Sequence, residues 1–402
     1  MRVKIHKSIA QGTAKVPPSK SMVHRYLIAA ALAQGKSVIR GVEYSQDILA
    51  TMDCLKALGV DISCKEDCVT VVGNGLFKPQ GLLNCRESGS TLRFLLPLCL
   101  LSGKIATLKG SARLMERPLS VYEKLCSEQG FTFSQIGDTV TVCGSLKGGN
   151  YELNGSISSQ FISGMIFALL MCDGKSTIRL TEKIESRSYI DLTIQALNQF
   201  GFQVSWEAVD VLQIIGGCGN GKNITVEGDY SNAAFLDALN LLGGSVSLIG
   251  LERDSLQGDR VYRSYFEQIK NGTPTLSLAD CPDLAPILMA MAAVCNGARF
   301  TDTARLKIKE SDRGAAMAEE LKKCGVRVDL SDNEIVVYGG TLAAPTEAFD
   351  GHNDHRIVMS MAVLCTKLGG AIKGAQAVAK SFPRFFEQLK ELGIEVDIFE
   401  TE

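Results

Sequence analysis

The sequence predicts an α/β protein of two lobes, each an inside-out α/β barrel in which small sheets wrap buried helices. Three observations predict it. A glycine closes an apolar run at Gly35, Gly103, Gly174, Gly243, Gly297 and Gly369, at intervals of 68, 71, 69, 54 and 72 residues, the signature of a repeated supersecondary unit. The runs before these glycines are apolar on nearly every side: Leu284 to Cys295 holds Pro286 as its one non-hydrophobic residue, so such a helix is buried all round. The fourth interval is the short one, and Glu227-Gly228-Asp229-Tyr230-Ser231 precedes that copy's buried helix, which places a lobe boundary there.

Each element follows in order. After the glycine comes a short strand, as in Ser37-Val38-Ile39-Arg40 or Ser176-Thr177-Ile178-Arg179. A second, amphipathic helix closes at Gly59, Gly130, Gly201, Gly272, Gly325 or Gly393, in each copy the expected left-handed stop. An alternating strand often follows, such as Val326-Arg327-Val328. The result is six βαβαββ units of 67 residues on average, three per lobe. Residues 18–228 form one lobe, and residues 1–17 with 229–402 the second. A second crossing at Val16-Pro17-Pro18 lets the N-terminal strand join the C-terminal lobe, so two strands near 16–19 and 226–230 make a hinge.

Composition narrows the function. With 46% apolar and 21% charged residues the chain is an ordinary globular one rather than disordered or fibrous. Its 42 Lys+Arg against 44 Asp+Glu leave a formal charge of −2, so no global field favours nucleic acid or an anionic membrane. Anionic partners must be held by local cations. The longest apolar stretches fall short of a bilayer span, and Met1 to His6 alternates like a strand without the apolar core of a signal peptide, so a cytoplasmic location is expected. Thirteen scattered cysteines read as reduced core residues.

Each buried helix starts with a polar cluster, among them Pro18-Ser19-Lys20-Ser21, Glu87-Ser88-Gly89-Ser90, Ser158-Ser159-Gln160, Asp280-Cys281-Pro282-Asp283 and Asn353-Asp354-His355-Arg356. At any one helix such a residue is simply an N-cap. Repeated six times, parallel helix starts point their free N–H groups and positive dipole ends together, a natural site for phosphates and carboxylates. They also carry cations that capping does not need: Lys20, Arg25, Arg93 and Arg356. The second helices add Arg117-Pro118, Lys380 and the run Lys307 to Arg313. Helical spacing in that run puts Lys309 and Arg313 on one face, with Glu310 three before Arg313; a solvated salt-bridge face is the plain alternative.

Other chemistries fail. Gly174-Lys175-Ser176 lacks the glycine a P-loop needs five residues earlier, where Leu169 stands, and Gly217 to Gly221 is a turn rather than a dinucleotide fingerprint. Four histidines, His6, His24, His352 and His355, do not assemble a zinc ligand set, so neither metal nor cofactor is expected.

At Lys20-Ser21 with Arg25, Ser158-Ser159-Gln160, Lys309-Glu310-Ser311-Asp312-Arg313 and Asn353-Asp354-His355-Arg356 the chain closely resembles the 5-enolpyruvylshikimate-3-phosphate synthase family, across all six repeats. The resemblance implies two lobes of three repeats joined by a hinge. It implies transfer of the enolpyruvyl group of phosphoenolpyruvate to the 5-hydroxyl of shikimate 3-phosphate, with release of phosphate and without a metal or organic cofactor. By the same resemblance Lys20, Ser21, Arg25, Ser158, Ser159, Gln160, Ser186, Tyr189, Asp283 and Lys309 contact shikimate 3-phosphate, and Lys20, Gly89, Arg117, Gln160, Arg313, Arg356 and Lys380 contact phosphoenolpyruvate. The protein is expected to act as a monomer on these small anions, with no nucleic-acid or membrane partner, its lobes closing on them. Two small polyanions side by side need many cations and helix N-termini to offset their repulsion. Addition across the enol needs the hydroxyl deprotonated and the methylene carbon protonated. Asp283 is the candidate base, Glu310 the candidate donor to carbon, and Lys20 a bridge between substrates and acid for the departing phosphate.

Two positions depart from the family pattern. Ser90 stands in Glu87-Ser88-Gly89-Ser90-Thr91 where threonine is frequent, which leaves glyphosate sensitivity open, and Arg305 stands where an asparagine contact to shikimate 3-phosphate is common. Two other readings are weighed. The sister UDP-N-acetylglucosamine enolpyruvyl transferase carries Lys-Asn at the first helix and a reactive cysteine before its Arg-Pro, whereas Lys20-Ser21 stands here and the loop from Lys104 to Arg117 has no cysteine. A non-catalytic anion-binding scaffold needs neither Asp283 nor Glu310.

Overall fold

The computed structural model of the chain describes residues 1–75 and 81–400. It divides into a middle unit, Pro18–Glu227, and a terminal unit, Met1–Pro17 with Gly228–Glu402. Each has its own apolar core, built around three buried helices. In the middle unit these are α1 (Lys20–Leu32), α2 (Gly89–Cys99) and α3 (Ser159–Leu169). In the terminal unit they are α4 (Tyr230–Leu241), α5 (Ala285–Val294) and α6 (His355–Leu368). The apolar run read at α5 is buried from Ala285 through Ala293, as a helix without a polar face requires.

The sheets follow one plan. In the second copy Leu82–Asn84 runs parallel to Ala106–Lys109 across α2, and the hairpin Thr132–Ile136 and Thr139–Cys143 continues the sheet antiparallel. The parallel pair needs a crossover, which the buried helix supplies. In the first copy the strand parallel to Gly35–Arg40 is Asn223–Thr225, from the far end of the middle unit. In the last copy Arg2–Ile5 lies between Gly370–Lys373 and Val396–Phe399, and Gln11–Lys15 pairs with Ser245–Ile249. The N-terminus is thereby stitched into the terminal unit.

Two expectations need correction. The sheets are five of four strands and one of two, and none closes on itself among the described residues, so each unit packs separate small sheets against its buried helices rather than one closed barrel. The fourth copy lacks its antiparallel hairpin: the helix Tyr262–Asn271 is followed at once by Thr275–Ser277, the first strand of the next copy. This accounts for the short interval. Gly272 in turn is extended, with φ 178°, because the chain runs straight on there, whereas Gly59, Gly130, Gly201, Gly325 and Gly393 are left-handed stops with φ between 67° and 91°.

Candidate active site

Five of the six buried helices start on a side-chain cap: Ser19, Ser88, Ser158, Asp229 and Asp354 each accept a first-turn N–H. At α5 the helix is preceded by a 3₁₀ turn, Pro282–Leu284, with no side-chain cap. Asp283 is thereby left for other work.

The expected site residues divide ten to six between the units. In the middle unit, Lys20 opens α1 and its Nζ meets Asp47 Oδ2 at 2.8 Å. Arg25, one turn on and buried, donates from Nε to Thr193 Oγ1 and from its two Nη atoms to the carbonyls of Ser21 and Tyr189, each at 2.8 Å. Burial lowers its pKa to about 10. Since a guanidinium has five N–H donors, this grip fixes the fork and leaves donors for an anion. Thr193 Oγ1 also lies 2.7 Å from Ser163 Oγ, which orients the acceptor. Tyr189 stands on the helix Arg187–Gln199, whose N-cap Ser186 is buried and left-handed, with φ 55°.

At α2 the first residue is Gly89, and a Cβ there would meet Arg117 Nη1 at 2.8 Å and its Cζ at 3.0 Å. Only glycine lets the flat guanidinium lie against the helix start. At α3, Ser158 caps, Ser159 is buried, and Gln160 is held at both ends of its amide: Oε1 accepts from Arg93 Nη1 at 2.8 Å and Nε2 donates to Ser90 Oγ at 3.0 Å. The serine that departs from the family pattern thus orients the glutamine.

The terminal unit centres on Arg313, 1% exposed. Nε donates to Asp354 Oδ2 at 2.9 Å, Nη1 to Asp283 Oδ1 at 2.8 Å and Nη2 to Glu310 Oε2 at 2.8 Å. Burial works against its charge, but Asp354, Glu310 and Asp283 outweigh it and raise its pKa. Asp283 also accepts from Arg356 Nη2 at 2.9 Å and faces Lys309 Nζ at 3.5 Å. Burial pushes the Asp283 carboxyl up, yet Arg356, Lys309 and Arg313 prevail and hold it well below the usual carboxylate range. Burial also pulls the Lys309 ammonium down to about 8, against the opposing pull of Asp283. Arg356 Nη2 further donates to Ser231 Oγ at 3.0 Å, and Lys380 Nζ to the Asn353 carbonyl at 2.5 Å.

Lys309 and Arg313 do not share a helix face. Lys309 ends the 3₁₀ turn Ala304–Ile308 in extended conformation, and the helix Arg313–Lys322 begins four residues later behind its N-cap Asp312. The capping loop, not helical spacing, brings Lys309, Glu310 and Arg313 around Asp283. Arg305 donates from Nη2 to the Ala279 carbonyl at 2.6 Å. Sequence reasoning passed over Asp47, Thr193 and Asp354 as site residues. Asp354 alone carried a signal, standing as N-cap in the motif already quoted, while Asp47 and Thr193 meet their partners 27 and 168 residues away.

The chain matches the protein family described as EPSP synthase (3-phosphoshikimate 1-carboxyvinyltransferase) over residues 5–389. A 3-phosphoshikimate 1-carboxyvinyltransferase of Clostridium kluyveri is 37% identical over 424 residues, covering 98% of each chain. Its counterpart in Clostridium perfringens is 36% identical over 417 residues with the same coverage. Among solved structures, an EPSP synthase from Acinetobacter baumannii superposes with a TM-score of 0.78 at 27% identity, covering 99% of this chain and 100% of that one. The enolpyruvyl transferase NikO from Streptomyces tendae shares the fold, with a TM-score of 0.78 at 13% identity over 98% of each chain.

Proposed function

The chain belongs to the EPSP synthase (3-phosphoshikimate 1-carboxyvinyltransferase) family, and from that premise we propose how its own residues carry out the reaction. That reaction moves the enolpyruvyl group of phosphoenolpyruvate onto the 5-hydroxyl of shikimate 3-phosphate and releases phosphate, on the route to chorismate and the aromatic amino acids. The observation that carries the residue roles is the Arg313 cluster, in which two carboxylates able to move protons, Asp283 and Glu310, are interleaved with cations able to hold anions.

In this reading Arg25, Lys20, Ser21, Ser158, Ser159, Gln160, Ser186, Tyr189, Lys309 and Asp283 hold shikimate 3-phosphate. Arg117 against Gly89, with Lys20, Gln160, Arg313, Arg356 and Lys380, holds phosphoenolpyruvate. The planar forks suit the carboxylate and phosphate. Asp283 takes the proton of the 5-hydroxyl as its oxygen attacks the enol carbon, and Glu310 gives a proton to the methylene carbon, forming the tetrahedral adduct. Elimination returns a proton from that methyl to Glu310 as the C–O bond to phosphate breaks, with Lys20 as acid for the departing phosphate.

A carboxylate held far down in pKa is a weak base, which shapes the order of events. Arg313 and Arg356 both spend donors on Asp283, and they are the same guanidiniums assigned to phosphoenolpyruvate. An incoming carboxylate that draws them away strips Asp283 of the cations depressing its pKa, so its basicity returns as the second substrate arrives. The test is phosphate release measured in parallel with shikimate 3-phosphate and with UDP-N-acetylglucosamine as acceptor. Release that depends on shikimate 3-phosphate and is absent with the nucleotide sugar is expected; the opposite dependence overturns the reading.

A further inference from the structure

One fully buried carboxylate has no part in the chemistry above. Glu320, 0% exposed, stands on the helix Arg313–Lys322 two turns beyond Arg313 and therefore on the same face. Its Oε2 accepts the backbone N–H of Asp350 at 2.9 Å, its Oε1 lies 2.8 Å from His352 Nε2, and Lys323 Nζ sits 2.9 Å from Oε2. These bonds grip one short stretch of chain. His352 and Asn353 are both left-handed, with φ 46° and 50°, a conformation uncommon for L residues although His and Asn tolerate it better than most, and two in succession need support from their surroundings. The His352 N–H is also tied to Asp350 Oδ1 at 2.6 Å, and the Asp354 N–H to the Gly351 carbonyl at 2.8 Å.

The consequence of this double left-handed turn is where it delivers the next residues. The Asn353 carbonyl receives Lys380 Nζ. Asp354, one residue on, receives Arg313 and Ser311, at 2.9 and 3.0 Å, and caps α6, whose second residue is Arg356. Three cations assigned to phosphoenolpyruvate are thus referred to one loop, and that loop is referred to Glu320.

We propose that Glu320 is a positioning residue for phosphoenolpyruvate: by clamping the Asp350 N–H and the His352 ring it holds the His352–Asn353 turn, and through it the settings of Lys380, Arg313 and Arg356. This rests on the reading that those three hold phosphoenolpyruvate. Glu319, Glu320 and His352 also place ligand atoms within 4.8 Å of one another, but the Lys323 ammonium is already on Glu320 Oε2, so the carboxylate is balanced from within the chain. Protonation agrees with a clamp. The hydrogen bond to Glu320 raises the His352 pKa, with Asp350 and Glu319 adding to it and burial opposing. Burial would raise that of Glu320, but His352, Lys323 and the Asp350 N–H bring it down.

The test is steady-state kinetics of Glu320→Gln, His352→Gly and Lys380→Met beside the unaltered enzyme, with shikimate 3-phosphate binding by calorimetry as the check on folding. Glu320→Gln loses the charge and an acceptor, so the KM for phosphoenolpyruvate is expected to rise about tenfold, the worth of one charge-assisted hydrogen bond, with shikimate 3-phosphate affinity within about twofold of normal. His352→Gly keeps the left-handed backbone and loses only the ring, so it carries the test if Glu320→Gln fails to fold; a rise of severalfold in the same KM is expected. Lys380→Met raising that KM while Glu320→Gln, or His352→Gly in its place, leaves it unchanged overturns the role of Glu320 and spares the substrate assignment. Both affinities falling together in Glu320→Gln, with a lowered melting temperature, reduces Glu320 to a structural residue and overturns the proposal. Lys380→Met without effect on that KM overturns the substrate assignment itself, and the proposal with it.

Discussion

Arg25 and Arg313 are equally hidden, 2% and 1% exposed, and are held in opposite ways. Arg25, in the middle unit, bonds to a hydroxyl and two carbonyls, and burial drags its pKa down to about 10. Arg313, in the terminal unit, bonds to three carboxylates, and they more than repay its burial. Neutral acceptors fix a guanidinium without cancelling its charge, as at Arg25. Carboxylate partners offset the charge, and an anionic ligand has to compete with them for Arg313. The lesson lies in the two guanidiniums: among the described residues Arg25 is held by neutral acceptors alone, whereas Arg313 is held by Asp354 and by the two carboxylates proposed above to move protons, Asp283 and Glu310.

The sharpest break of this comparison is Asp283→Asn. The amide keeps the shape but accepts no proton, so kcat is expected to fall by about 10²–10⁴ while calorimetry finds shikimate 3-phosphate still bound. Turnover near normal would remove Asp283 from the chemistry. On the other side, Arg25→Gln removes a charge whose hydrogen-bond partners among the described residues are neutral. Its shikimate 3-phosphate affinity should drop roughly 10–100-fold, the worth of one or two charge-assisted hydrogen bonds, with the KM for phosphoenolpyruvate little changed; equal losses in both would erase the contrast between the units.

Gly89→Ala sharpens the middle unit's part. Its methyl group would press on the Arg117 guanidinium, 2.8 Å away, so the KM for phosphoenolpyruvate should rise on the order of tenfold, as misplacement of a positioning group does, and that for shikimate 3-phosphate should stay. An unchanged pair of KM values would free Arg117 from the helix start. The smallest effect is a pH limb. Burial lowers Lys309 to about 8, and only its cation attracts a phosphate, so kcat/KM for shikimate 3-phosphate should decline as pH rises through about 8. Lys309→Arg, charged throughout, should lose that limb; a profile unaltered by the substitution would assign the decline elsewhere.

What the sequence revealed of all this was local. Glycine stops and helix caps depend on residues within one turn, which is why the repeat at Gly35, Gly103 and Gly174 and the capping serines at 19, 88 and 158 could be read directly. The missing hairpin of the fourth copy left one trace, an interval of 54 residues, and Gly272 looked like its neighbours because a glycine does not announce its φ. The cations were legible by type, but their partners were not. Thr193 meets Arg25 across 168 residues, Asp354 meets Arg313 across 41 and Glu320 meets His352 across 32, and one sequence carries no record of which hydroxyl or carboxylate folds back onto which guanidinium. The run Lys307 to Arg313 shows a related limit: a charge spacing that fits a helix fits a capping loop equally well, and Asp312 is the N-cap.

In the mechanism proposed above, Asp283 and phosphoenolpyruvate compete for Arg313 and Arg356. Calorimetric titration of phosphoenolpyruvate into the unaltered protein and into Asp283→Asn, with shikimate 3-phosphate left out so that nothing turns over, tests it directly. Asparagine keeps an acceptor but not the charge that holds Arg313 Nη1 and Arg356 Nη2, so Asp283→Asn should bind phosphoenolpyruvate tighter, by about tenfold for one charge-assisted hydrogen bond no longer given up, even as its catalysis collapses. Equal or weaker binding in the variant would show that Asp283 supports the phosphoenolpyruvate site rather than contending with it, and would overturn the competition.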